Sequence, residues 1–157
     1  ICSRDWSSDV CSSDLITWAS QSAATNDTWT SVAWSPELRI FAAVSFDGTA
    51  MSSPDGITWT TRTPAAANQW YRCVWAPAIG LFCATSLNGT AGTRVMTSPD
   101  GITWTSRTEA ATAQWYSLNW SKELNLFAAV ALGGSIMTSP KAEQLTCSAP
   151  SIKRAKS

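Results

Sequence analysis

The sequence contains no histidine in 157 residues. Histidine is the usual general base near neutral pH and a common zinc ligand. Its absence excludes Ser/His/Asp triads, Cys/His nucleophile pairs and histidine-based zinc sites. We therefore assign no catalytic residue, no cofactor and no metal site, and we expect that the chain is not an enzyme.

Charge is also scarce, at 14% of residues, and it is balanced, with 11 Lys and Arg against 11 Asp and Glu. A balanced surface has no basic stripe to attract phosphates, so we expect no nucleic acid partner. The longest apolar runs, such as residues 126–132, are far shorter than the roughly 20 residues that cross a bilayer, so we expect no membrane span. Sustained helical periodicity is absent as well, while a hydrophobic share of 45% is typical of a globular chain.

Tryptophan, in contrast, is abundant, with ten residues against two tyrosines and four phenylalanines. Ile-Thr-Trp occurs three times, at intervals of 41 and 45 residues. A second tryptophan follows each by eleven residues, a third by five more, and a phenylalanine by seven more. The four sets are Trp18, Trp59 and Trp104; Trp29, Trp70 and Trp115; Trp34, Trp75 and Trp120; and Phe41, Phe82 and Phe127. The chain therefore carries three repeats of one unit.

Each repeat consists of short runs of β-branched and aromatic residues separated by turn residues, which predicts four strands. The longer interval comes from an insertion, residues 87–94, where the first repeat has only 46–50. A period of 41 to 45 residues with four strands is typical of a propeller blade. We therefore predict an all-β fold, an incomplete β-propeller of about three four-stranded antiparallel blades. Because a closed ring needs about 4 to 8 blades, we expect an open arc.

Residues 53–59 and 98–104 both read Ser-Pro-Asp-Gly-Ile-Thr-Trp. This sequence resembles the Asp-box, or BNR repeat, of sialidase-type and many non-enzymatic propellers, although it is one residue shorter between Asp and Gly than the commonest form. The resemblance covers residues 16 to about 140, and it implies that each turn joins the third and fourth strands of a blade. The structural turn residues that it implies are Ser53, Asp55, Gly56, Trp59, Ser98, Asp100, Gly101 and Trp104.

The resemblance also divides the chain. It places blades at about 29–62, 70–107 and 115–140, preceded by an orphan fourth strand at 16–20. The third blade lacks its turn, because Lys141-Ala142 replaces Asp-Gly. Residues 5–15 resemble the in-frame translation of a sequencing-library adapter, so we expect residues 1–15 to be adapter-derived. We expect residues 141–157 to form a disordered tail.

Several side chains allow two interpretations. Asp55 and Asp100 serve either a turn or calcium, but one carboxylate per turn is few for an ion that needs six to eight oxygens. Cys73 and Cys83 are either small buried hydrophobes or a cross-strand disulfide.

A sialidase needs an arginine cluster, a tyrosine nucleophile and carboxylate partners. The tyrosines, Tyr71 and Tyr116, occupy one repeat position, and so do Arg62 and Arg107. Catalytic residues break the symmetry of a repeat, whereas these four obey it. The insertion does break the symmetry, so we identify Asn88 and Arg94 as the ends of a candidate binding loop.

We therefore predict a non-catalytic module, a scaffold or adhesive surface of a secreted, cell-surface or phage-tail protein. Its expected location is extracellular or virion-associated. Its expected partners are a glycan or a protein, further blades of the same protein, or a second copy of the chain. Two alternatives remain open: a piece of a sialidase-like hydrolase with its catalytic residues in other blades, and an intracellular assembly factor built on a similar propeller.

Overall fold

A computed structural model describes residues 18–141 of the chain. The adapter-like segment at 1–15, the first two residues of the predicted strand at 16–20, and all of the predicted tail except Lys141 lie outside these residues. Within the described part no helix is long and apolar enough to span a membrane.

The described residues form eleven strands in three antiparallel sheets. The first sheet contains β1 (Trp29–Ser35), β2 (Ile40–Ser45), β3 (Ala50–Ser53) and β4 (Thr60–Arg62). The second contains β5 (Trp70–Ala76), β6 (Leu81–Ser86), β7 (Val95–Ser98) and β8 (Thr105–Arg107). The third contains β9 (Trp115–Ser121), β10 (Leu126–Ala131) and β11 (Ile136–Thr138). The prediction of an all-β chain built from antiparallel blades is confirmed.

In each sheet the strands pair in chain order, so that every sheet is a meander. The first sheet runs from Trp29 to Arg62 and the second from Trp70 to Arg107, the ranges of the first two predicted blades. The third sheet has three strands within the described residues. Residues 18–20, the described part of the predicted strand at 16–20, form no strand and pair with none of the described strands.

Strand pairing gives each sheet two different faces. Trp75 lies opposite Phe82, and Cys73 lies opposite Ala84, so these residues share one face, which we call the aromatic face. Val74 and Cys83 lie opposite each other on the other face, which we call the aliphatic face. The same division holds in the first and third sheets, because their strands pair in the equivalent register.

The sheets stack with the aliphatic face of one against the aromatic face of the next. One core joins Ala42 and Val44 of the first sheet to Trp70 and Phe82 of the second. Another core joins Cys83 of the second sheet to aromatic-face residues of the third, namely Trp115, Leu118 and Phe127. A fully buried aromatic side chain hides about 150–250 Å², worth roughly 4–6 kcal/mol gross. Trp70 and Trp115, one in each of the two cores, are the largest of the fully buried side chains between the sheets.

The two described cysteines are free, buried thiols. Because Cys73 lies on the aromatic face and Cys83 on the aliphatic face, the two side chains point away from each other across the sheet. Burial raises the pKa of the Cys83 thiol to about 12 and raises that of Cys73 as well. The structure therefore confirms the first interpretation, in which Cys73 and Cys83 are small buried residues, and contradicts the cross-strand disulfide.

Candidate functional site

The Ser-Pro-Asp-Gly turn of the first sheet is held together by one carboxylate. Asp55 Oδ1 accepts hydrogen bonds from the backbone N–H groups of Thr58 and Ile57, both at 2.8 Å, and from Ser53 Oγ at 2.9 Å. Ser53 Oγ in turn accepts a bond from the Gly56 N–H at 2.8 Å. The backbone bonds from Thr58 and Ile57 and the Ser53 hydroxyl lower the pKa of Asp55 to about 2. The charged carboxylate therefore acts as a turn clamp.

The turn of the second sheet repeats this arrangement. Asp100 Oδ1 accepts bonds from the N–H groups of Ile102 at 2.8 Å and Thr103 at 2.7 Å. Burial by itself raises the pKa of Asp100, but the bonds from Thr103, Ile102 and the Ser98 hydroxyl outweigh it, and the pKa is lowered. Among the described residues no group of three or more His, Cys, Asp or Glu side chains is placed to hold a metal ion.

Gly101 fills a narrow space between the first and second sheets. Its φ is +70°, and a Cβ atom at this position would lie 3.3 Å from the Phe82 ring and 3.6 Å from Ala42 of the first sheet. Gly56 has an equivalent φ of +73° but approaches only Phe41 of its own sheet. Glycine is required at both turns by the left-handed backbone, and at Gly101 also by the neighbouring sheet.

The tryptophans of the two turns are packing residues. The ring centroid of Trp59 lies 6.1 Å from Phe41, and that of Trp104 lies 6.4 Å from Phe82. Each phenylalanine also contacts the tryptophan of its first strand, since the Trp75–Phe82 centroids are 4.6 Å apart. Neither turn therefore presents its tryptophan as an isolated platform for a sugar ring.

The residues that a sialidase-like reaction would recruit are engaged elsewhere. Arg62 Nε donates to Ser52 Oγ at 2.9 Å, and Arg107 Nε donates to Thr97 Oγ1 at 2.8 Å, so each arginine ties a fourth strand to the third. Tyr71 and Tyr116 lie on the adjacent first strands of two sheets with ring centroids 4.9 Å apart. Their rings therefore contact each other between the two sheets.

The insertion loop is anchored by its own arginine. Arg94 donates from Nε and Nη2 to the Gly89 carbonyl at 3.1 and 3.0 Å, and from Nη1 to the Ala113 carbonyl at 2.9 Å. The buried Glu109 side chain accepts bonds from the N–H groups of Gly92 at 2.9 Å and Arg94 at 3.4 Å. Arg94 and Glu109 therefore fix the loop onto the connector that leads to the third sheet. No pattern in the sequence indicates this role of Glu109.

Asn88 follows the repeat and does not break it. Its Oδ1 accepts a bond from the backbone N–H of Gln69 at 2.7 Å, just as Asp47 Oδ2 accepts one from Thr28 at 2.5 Å. The signal was present in the sequence, because the Asn88-Gly89 pair aligns with Asp47-Gly48. Only the residues that follow Gly89 are an addition to the shared turn.

The insertion loop and the connectors between sheets lie at the same end of the molecule. Asn68 Nδ2 donates to the Thr93 carbonyl at 2.7 Å, which joins the loop to the connector before the second sheet. Thr90 and Ala91 at the loop tip and residues 110–112 of the next connector remain exposed. We call residues 88–94 and 108–114 the insertion surface. It combines the residues added to the shared turn with the connector to which Arg94 and Glu109 fix them.

Comparison with known proteins identifies the fold. No family model matches the sequence, and no curated protein matches it. The structure is similar to Sqt1 from Saccharomyces cerevisiae, with a TM-score of 0.56 and 16% identity over 75% of this chain and 32% of that one. It is also similar to a streptogramin B lyase, with a TM-score of 0.52 and 10% identity over 73% of this chain and 41% of that one. The computationally designed protein Ika8 matches with a TM-score of 0.51 and 17% identity over 70% of this chain and 32% of that one.

The chain thus spans about a third of the length of Sqt1 and Ika8 and 41% of that of the lyase. At these identities the likeness is one of fold. The matched natural proteins are β-propellers, and their sheets correspond to the sheets of this chain. The three sheets are therefore successive blades of an incomplete β-propeller.

Proposed function

We propose that this chain is a non-catalytic propeller module that serves as a scaffold and presents the insertion surface to a glycan or protein partner. The observation that supports the absence of catalysis is the engagement of its polar side chains. Asp55, Asp100, Arg62, Arg107 and Arg94 all bond to the chain itself. Groups committed to turns and strands are poor candidates for binding and transforming a substrate.

The resemblance of the Ser-Pro-Asp-Gly turns to the Asp-box supports a proposal about where the protein is located. Similar tryptophan-rich, Asp-box-like arrays are familiar from environmental bacterial and phage tail proteins, so we propose an extracellular or virion-associated location. Extending the gene sequence upstream tests this location, since a secretion leader or virion-protein segment would support it. An upstream reading frame that contains neither a secretion leader nor a virion-protein segment would favour the alternative of an intracellular assembly factor.

A hydrolysis assay separates the module from the sialidase-like alternative. The full chain is incubated with a fluorogenic sialoside, and we expect no release of fluorophore above the rate in buffer. Release that disappears in Tyr71→Phe or Tyr116→Phe would contradict the proposal, because those tyrosines would then act as nucleophiles and not as a contact between two strands.

A glycan array probed with the full chain tests the insertion surface. We expect binding that is lost on substitution of an exposed residue of this surface, in Thr90→Arg or Ala111→Arg. The control is Ile57→Arg, because Ile57 is also exposed but lies in the β3–β4 turn of the first sheet, at the opposite end of the strands from the insertion. Loss of glycan binding in the control and retention in Thr90→Arg would place recognition elsewhere.

A further inference from the structure

We propose that two copies of this chain pair head to tail. In this arrangement the aromatic face of the first sheet in each copy packs against the aliphatic face of the third sheet in the other. The occupant of both end faces is then a second copy of the chain. The proposal goes beyond the proposed function and does not depend on it.

The aromatic face of the first sheet is exposed where its equivalents are buried. Val32 on this face is 57% exposed, whereas Cys73 and Leu118, at the same repeat position, are 3% and 4% exposed. Trp34 is 39% exposed and borders the same face. A groove of about 530 Å³, lined by Trp29, Val32 and Trp59 among others, lies here. The first sheet thus presents the surface that the other two sheets bury against a neighbour.

The aliphatic face of the third sheet is exposed in the same way. Val130 and Ile136 are 45% and 71% exposed, whereas Val44 and Ala50, their equivalents in the first sheet, are fully buried against the second sheet. The two end faces are therefore the two halves of one interface that already occurs within the chain. A second copy can form this interface without any new type of contact.

Two hydrogen-bonding groups of the third sheet match the contact that the first sheet makes. Ser31 Oγ accepts a bond from the Cys73 N–H at 3.0 Å, and Glu37 Oε2 accepts one from Trp75 Nε1 at 2.8 Å, both between sheets. The third sheet carries Ser117 and Glu123 at these two repeat positions.

The second sheet instead carries Arg72 and Ala78, and the buried Trp120 Nε1 that faces it finds no acceptor among the described residues. The third sheet therefore carries the groups that would receive Val32 and Trp34 of a second copy. The second sheet lacks this serine and this glutamate although it packs against the third sheet.

A cavity beside the third sheet gives a further match. It measures about 430 Å³ and is lined by Phe127, Met137 and Cys83 among others. In the second sheet the equivalent side chains, Phe82 and Met96, pack with Trp104 in one core. The cavity is therefore the space that the turn tryptophan occupies in the preceding interface.

Trp18 is the tryptophan that fits this cavity. It lies eleven residues before Trp29, as Trp104 lies eleven residues before Trp115, and it is 88% exposed. In a head-to-tail pair the segment before the first sheet of one copy comes next to the third sheet of the other. Trp18 of each copy then enters the cavity of its partner.

Such a pair is closed, because each copy uses both end faces. Two copies of the three described sheets make a ring of six, within the usual range of about 4 to 8 blades. Contacts between unlike faces give a ring when the rotation closes and a filament when it does not. The net charge of zero means that no long-range repulsion opposes the association.

Sedimentation velocity of the full chain over a range of concentrations tests the pairing. We expect a species of twice the chain mass of 16.8 kDa. Val32→Glu and Val130→Glu each place a charge on one end face, and we expect each to sediment as a single chain. An equimolar mixture of the two variants should again form a two-chain species, because one intact pair of faces remains between them.

Two further variants sharpen the result. Ile57→Glu is the matched control, since Ile57 is 59% exposed and its equivalent Ile102 stays 41% exposed in the sheet that has neighbours on both faces. We expect this control to pair normally. Trp18→Ala leaves both end faces unchanged and should weaken pairing by about tenfold or more.

Three outcomes would overturn the proposal. A parent chain that sediments as a single chain at all concentrations excludes pairing. A Val130→Glu variant that still pairs shows that like faces associate. Assembly into polymers would show that the end faces associate without closing a ring of two chains. Circular dichroism of each variant checks that the exposed substitutions leave the sheets folded.

Discussion

At the scale of single residues, the chain uses its few charged side chains as clamps on its own backbone. Asp55 and Asp100 each gather two backbone N–H groups and a serine hydroxyl into one turn. A carboxylate that accepts such bonds is stabilised in its charged form. Protonation removes that stabilisation, and this makes the turns sensitive to acid.

The acid sensitivity of the turns can be measured with Asp55→Asn/Asp100→Asn. The pKa of Asp55 falls from an unfolded value near 4 to about 2 in the fold, and that of Asp100 is also lowered. A lowered pKa in the fold contributes stability above about pH 4, and this contribution is lost as the pH falls toward 2. We expect the urea midpoint of the parent to drop more between pH 5 and pH 2.5 than that of the variant. Equal drops would show that the two clamps do not contribute.

The insertion loop offers a matched pair of glycines. Both have positive φ, at +123° for Gly89 and +87° for Gly92, so alanine strains the backbone at either position. A Cβ at Gly89 would also come within 2.4 Å of the Asn68 amide, whereas a Cβ at Gly92 would have no atom of the neighbouring segments within 4 Å. We expect Gly89→Ala to lower the thermal midpoint more than Gly92→Ala, because it displaces Asn68 from Thr93. Equal losses of thermal midpoint in the two variants would mean that the Asn68 side chain moves aside without destabilising the fold.

At the scale of strands, the fourth strand of each four-stranded sheet is short and lies at an edge of the sheet. β4 and β8 have only three residues each, pair on one side, and are tied back by Arg62 and Arg107. Short edge strands with few buried side chains open at low free energy. The arginines therefore matter more for these strands than their exposure suggests.

Hydrogen exchange of two single variants tests the arginine ties. We expect Arg107→Ala to speed hydrogen exchange of the β8 amides by roughly threefold to tenfold, because it removes one modest hydrogen bond. The exchange rates of the β4 amides should not change. Arg62→Ala should do the reverse, so each variant is the control for the other. Exchange that rises in both strands in either variant would show that the two sheets open together.

The strand pattern was predictable because it depends on local chemistry. The Asp-box resemblance placed the first two blades at about 29–62 and 70–107, and the strands of the first two sheets begin and end at those residues. The strand at 16–20 could not be judged from its own residues, because a strand needs a partner and none of the described strands pairs with it. Asn88 belongs to the shared turn through the bond that it accepts from the Gln69 N–H, although its place at one end of the insertion makes it a candidate binding-loop residue.

At the scale of the whole molecule, one interface geometry is repeated along the chain. The aliphatic face of each sheet meets the aromatic face of the next in both described interfaces. The sequence predicted the number of units but not which face meets which, because that depends on side-chain directions in two sheets at once. The Glu37–Trp75 bond was hidden for the same reason.

This repetition can be tested by adding a bond that the second interface lacks. Ala78 occupies the position of Glu37, and Trp120 Nε1 occupies the position of Trp75 Nε1 but has no acceptor among the described residues. If the two interfaces share one geometry, Ala78→Glu should satisfy this buried N–H and raise the free energy of unfolding by about 1 kcal/mol. The gain should vanish in a Trp120→Phe background, which removes the donor.

The most direct measurement is therefore a double-mutant cycle of Ala78→Glu and Trp120→Phe, followed by urea denaturation of the full chain. We expect a stabilising Ala78→Glu whose effect depends on the Trp120 indole, with a coupling of about 1 kcal/mol. An Ala78→Glu chain that is no more stable than the parent, or that gains equally with Trp120→Phe, would contradict the claim that the sheets stack through one repeated interface.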